Sequence, residues 1–99
     1  MTTVPMEVFS QESNMTIVRT LGRRFPGIVV QGDSLHGLWT TARAVVRALT
    51  SAKAAGTTGL DDALEEATDL LERLEARVTA YEDCLQAHGI ELLYNAVAE

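Results

Sequence analysis

Gly22-Arg23-Arg24-Phe25-Pro26-Gly27-Ile28-Val29-Val30-Gln31-Gly32-Asp33-Ser34-Leu35 runs from a charged turn through a β-branched stretch into a glycine corner and a helix start. Pro26 and Gly27 punctuate the loop. Ile28 to Gln31 reads as a short strand, because β-branched side chains fit a pleated surface. Asp33 or Ser34 is a suitable N-cap for the periodic pattern that follows. Such a corner leaves unpaired backbone N–H groups at a helix N-terminus, where anions are favoured.

Upstream, Val4 to Ser10 alternates weakly and reads as a strand, with Pro5 confining it to an edge or a strand start. Gln11-Glu12-Ser13-Asn14 is turn material. Met15 to Leu21 alternates again and makes a second strand. Short connections favour an antiparallel meander.

Downstream, Leu35, Leu38, Ala42, Val45, Leu49 and Ala52 recur at steps of three and four, an apolar stripe on a helix of about five turns. Trp39 and Val46 lie beside the stripe as candidate interface anchors. Ala55 to Gly59 forms a loop in which Thr58 offers the next cap. Leu60, Leu64, Ala67, Leu71, Leu74, Val78, Tyr81, Leu85 and His88 then sustain a seam for about four heptads, widened by Ala63, Leu70 and Cys84. Gly89 marks its C-terminal stop.

The expected fold class is α+β in one domain over residues 1–99. A small antiparallel β-meander occupies 1–32, a first helix 33–55, a second helix 58–88 and a tail 89–99. At ~1.5 Å per residue the second helix would be about 43 Å long and the first roughly 30 Å. The excess stripe must meet the sheet, the tail or a second copy. Pairing of two helical hairpins into a homo-oligomer is the expected outcome.

The 99 residues are 46% hydrophobic and 22% charged, which suits a globular domain and argues against disorder. No apolar run reaches the ~20 residues that span a bilayer. The opening residues have no basic start followed by an apolar run, and the single Cys84 suits a reducing compartment, so a cytoplasmic location without membrane association is expected.

The net charge is −6 and unevenly spread. Residues 34–56 carry Arg43, Arg47 and Lys53 with no acid; residues 57–99 carry eleven acids against Arg73 and Arg77. Two solvated helix faces that attract each other explain this, and part of the basic side also suits a small anion. Binding of bulk nucleic acid is disfavoured for a net anionic chain with few spare cations.

The candidate ligand-binding residues are Arg23, Arg24, Phe25, Gly32, Asp33, Ser34 and His36. Adjacent arginines present planar forks to phosphate or carboxylate, and Phe25 offers a ring for stacking. Their alternative role is pairing with acids or keeping a loop soluble. Gly32-Asp33-Ser34 resembles half of a phosphate loop, but neither G-x-G-x-x-G nor G-x-x-x-x-G-K-[ST] is present, and an ordinary N-cap accounts for the same residues. His36 suits either a ligand contact or a solvated surface. His88 suits a helix C-terminus. Two histidines and one cysteine in no ligand spacing give no metal site, and no cofactor is implied. Asp61, Asp62, Glu65, Glu66, Asp69, Glu72 and Glu75 form a solvated acidic face that also suits a basic partner. No catalytic constellation is assembled, so no enzyme activity is expected.

The Gly22–Leu35 run, with Tyr81, Ala87-His88-Gly89-Ile90 and Tyr94, resembles the signature of a family of small bacterial proteins known only as a domain of unknown function. The resemblance spans about Met6 to Tyr94. It implies a bacterial or phage origin and transfers no catalytic residue. Small oligomeric phage proteins that trap nucleotide defence signals are an analogy of size and style. The leading expectation is therefore a non-enzymatic, homo-oligomeric module for a small anionic, nucleotide-like ligand. The alternative is an acidic protein-interaction module, an immunity or anti-defence inhibitor of a basic partner, where complementary charge speeds association.

Overall fold

The structure is a computed structural model and describes residues 2–12, 15–92 and 94. Three strands, β1 (Met6–Glu12), β2 (Met15–Thr20) and β3 (Gly27–Val29), form an antiparallel sheet in the order β1-β2-β3. Two helices follow, α1 (Gly32–Ala54) and α2 (Asp61–Ala87), packed as a hairpin. The α+β architecture is the one expected from the hydrophobic periods. Of the expected first turn, Gln11 and Glu12 belong instead to β1, where they pair with Thr16 and Met15, and Ser13 and Asn14 lie outside the described residues, as do residues 93 and 95–99 of the expected tail.

Register gives the sheet two unlike faces. Met6 pairs with Thr20, Val8 with Val18, and Thr16 with Val29. Partners across a ladder share a face, so Met6, Val8, Thr16, Val18, Thr20 and Val29 make one face free of charge. The other carries Glu7, Arg19, Ile17 and Ile28. Register shifts between Val8 and Ser10, leaving Phe9 as the extra residue of a bulge. The Arg19 guanidinium lies 5.4 Å from the centre of the Phe9 ring and forms an ion pair with Glu7 at 2.8 Å.

Neither helix starts on the expected cap. Gln31 occupies the N-cap position of α1 and Leu60 that of α2, and neither side chain caps its helix. Asp33 lies inside α1, where its Oδ1 accepts the Ser34 N–H at 2.9 Å. Thr58 lies three positions before the start of α2, in the loop. The far end is as expected: Gly89 takes a φ of 67°, and the Ile90 N–H donates to the Leu85 carbonyl at 2.9 Å.

The inward side of α1 is rotated from the expected stripe. Trp39 and Ala42 are buried with Leu35, Val46 and Leu49 half-buried beside them, whereas Leu38 and Val45 are exposed. A bulky indole removes more apolar area from water than a leucine, and it takes the inner position. Trp39 is thus an internal residue and not an interface anchor. On α2 the seam faces inward as expected, with Val78 fully buried, but Leu70 is 53% exposed.

The helices differ by four residues, 23 against 27, about 6 Å. The expected length mismatch is therefore small. A different surface is left uncovered. Among the described residues, no strand residue has its Cα within 8 Å of either helix. The sheet stands beyond the end of the hairpin, linked by Val30 and the extended Gln31, and the radius of gyration is 17.2 Å against about 12.6 Å for a compact chain of this length.

Candidate functional site

The sequence motif Gly22–Leu35 separates in space into two places. Arg23, Arg24 and Phe25 lie in the β2–β3 loop, all exposed. The Arg24 guanidinium sits 5.2 Å from the centre of the Phe25 ring, and the Arg24 carbonyl accepts from Arg19 Nη1 at 3.4 Å. Arg23 has no ion pair among the described residues and borders a recess between β1 and the end of β2, lined also by Pro5, Glu7 and Leu21. The turn thus presents two permanent cations and one ring to solvent.

Gly32, Asp33, Ser34 and His36 lie at the start of α1. Val30, Gln31, Gly32, Asp33, Tyr81 and Tyr94 line a recess of about 430 Å³ there. Gly32 is buried, and a Cβ on it would collide with the Tyr81 ring. Close approach of that ring explains the glycine. A left-handed corner does not, because Gly32 has no positive φ. His36 stacks on Tyr94 with ring centres 3.9 Å apart and lies 5.4 Å from Trp39. It is half-buried in an aromatic cluster and not a solvated surface histidine. Arg43 sits 5.1 Å from the Trp39 ring centre on the same helix.

The electrostatics of the two places differ. Burial pushes the Tyr94 phenol up to about 12, and the Glu82 carboxylate adds to the shift, with smaller contributions from Tyr81 and Asp33. Two carboxylates, Glu82 and Asp33, therefore lie near Tyr94 at this end of α1, and the Ser34 N–H is already engaged by Asp33. The cations that suit an anion are gathered on the β2–β3 loop, and among the described residues Arg23 and Gly32–Asp33 line different recesses.

Sequence reasoning missed Tyr81 and Tyr94 as neighbours of the motif. Their only signal was the resemblance, since a tyrosine on a helical seam reads as core. It also missed that Cys84 and His88, one helical turn apart, meet: Sγ lies 3.8 Å from His88 Nδ1. That nitrogen lies 2.8 Å from the Cys84 carbonyl, so Nδ1–H donates to the backbone, as expected of a histidine ending a helix. With its proton there, Nδ1 is not a base for the thiol.

The acidic side of the hairpin is a shallow trough of about 570 Å³ lined by Lys53, Asp61, Glu65, Glu66, Asp69 and Glu72, among others. Lys53 pairs with Asp61 at 2.8 Å and holds its carboxyl below the usual range, first by hydrogen bonding and then by charge. Asp69 pairs with Arg73 at 3.0 Å. On the other side of the hairpin, Leu38, Thr41, Ala42, Val45, Ala67, Leu70 and Leu74 line an almost wholly apolar groove of about 280 Å³. Among the described residues, no three His, Cys, Asp or Glu side chains converge on a point that could hold a metal ion, and no helix is long and apolar enough to cross a membrane.

No curated protein and no solved structure matches the chain. A family model covers residues 1–94, and the chain belongs to that family, a family of unknown function designated DUF6959.

Proposed function

We propose that this chain is a non-enzymatic, homo-oligomeric module that binds a small anionic, nucleotide-like ligand, in the style of bacterial or phage proteins that sequester a defence signal. The observation that carries this reading is the exposed turn on which Arg23 lies free of ion pairs among the described residues and Arg24 lies over Phe25. Two guanidinium forks neutralise phosphate, and the ring stacks on a base. The helix start, with Asp33 and Glu82 nearby, joins this site only if a second subunit brings the two places together.

The test is a thermal-shift titration with nucleotides and inorganic anions. Saturable stabilisation that Arg23→Ala with Arg24→Ala abolishes supports the reading. No shift with any anion contradicts it.

A second reading is favoured by one other observation, the trough in which Glu65, Glu66, Asp69 and Glu72 stand exposed. It suits a basic protein surface, with binding that weakens steeply as salt rises. Retained binding after charge reversal at Glu65, Glu66 and Asp69 contradicts it.

A further inference from the structure

The isolated chain leaves too much of itself in water. A compact monomer of 10.7 kDa exposes about 5,500 Å²; this one exposes 7757 Å². The excess of about 2,200 Å² is well above the ~800 Å² that each partner gives up in an ordinary stable interface. Only Trp39, Ala42 and Val78 are buried apolar residues among those described. Six of the thirteen exposed large hydrophobic residues fall on two surfaces. One is the uncharged sheet face of Met6, Val8, Val18 and Val29; the other is the hairpin groove, with exposed Leu38, Val45 and Leu70.

A sheet face that sets Met6, Val8, Val18 and Val29 among the uncharged Gln11, Thr16 and Thr20 gains from a second layer. Its own helices do not supply it: the spacer is only Val30 and the extended Gln31 and leads directly into α1, and no strand packs on either helix. The groove likewise needs a cover. We infer that the uncharged sheet face of one subunit seats in the hairpin groove of a second copy, reciprocally, so that the dimer is intertwined. This deepens the self-association in the functional reading above and rests on it.

Charge favours this pairing over stacking groove on groove. Residues 32–87 carry ten acids and five bases, whereas residues 2–31 carry two acids and three bases. The groove is apolar and the sheet face uncharged, so the charge acts between whole units: two net-anionic hairpins side by side repel, whereas a net-anionic hairpin and a sheet with one base in excess attract. The exchange also carries the Arg23–Arg24 loop of one subunit onto the hairpin of the other.

The test uses the full chain with Cys84→Ser, made as two separate variants, Val8→Cys and Leu70→Cys, one carrying a mass tag. After re-equilibration of the mixture and treatment with a short bismaleimide, a covalent heterodimer is expected that neither variant yields alone. A covalent dimer from Leu70→Cys alone indicates groove on groove and overturns the inference, as does one from Val8→Cys alone. The absence of any cross-link between the two variants also overturns it. Light scattering on the same samples separates the two levels: a dimer with the wrong cross-links removes this arrangement only, whereas a monomer removes self-association itself. Circular dichroism and urea unfolding confirm that each variant folds.

Discussion

The ring of Tyr81 lies so close over Gly32 that a Cβ at the first residue of α1 has no room. The contact pins the start of α1 to the sixth turn of α2, on the side where the chain leaves the sheet. Gly32→Ala is expected to cost about 1–3 kcal/mol through overpacking. Tyr81→Ala in the same chain removes the collision, so the double variant should lose less than the two single losses together. Urea unfolding of the four species measures the coupling, and a neutral Gly32→Ala contradicts the contact.

Trp39 and Leu38 are neighbours in sequence with opposite roles. Trp39 is 6% exposed and Leu38 53% exposed. Trp39→Ala should cost about 3–5 kcal/mol of folding free energy. Leu38→Ala should leave the folding of the chain nearly unchanged and raise the dissociation constant of the dimer. Chemical denaturation and concentration-dependent light scattering separate the effects. Equal destabilisation by both would contradict the rotated stripe.

That rotation shows what was legible beforehand. The period of three and four placed both helices and left the wheel of α1 ambiguous, because Leu38, Trp39, Val45 and Val46 are all apolar and pattern alone cannot choose between adjacent faces. The strands were legible from alternation and β-branching. Their separation from the helices was not, because the spacer is read as a corner until its geometry is known. Arg23 and Gly32 looked like parts of one site because nine positions separate them in sequence; β3 and the extended spacer set them apart in space. The Gly32–Tyr81 contact spans 49 positions and carries no local signal.

Tyr94 makes the chain sensitive to alkali. Its folded value is raised from 10.0 to about 12 by burial first and the Glu82 charge second. The folded state therefore favours the neutral phenol. That contribution to stability is complete below pH 10 and is lost as pH rises through 12. Absorbance at the phenolate band should show a late ionising step in the folded protein that is missing after denaturation and in Tyr94→Phe. A Tyr94→Phe variant with an unchanged titration would contradict this environment.

The β2–β3 loop separates charge from stacking. Arg23→Ala should reduce the thermal stabilisation given by nucleotides and by inorganic phosphate alike. Phe25→Ala should reduce the nucleotide effect and leave the phosphate effect in place, since phosphate offers no ring to stack. Identical losses for both ligands in Phe25→Ala would contradict a stacking role.

Light scattering coupled to size exclusion, at micromolar protein, tests most directly whether the bare sheet and the open groove are covered by another copy. A mass of twice 10.7 kDa, or a higher whole multiple, is the expected result. A single species of 10.7 kDa that persists as concentration rises would contradict it.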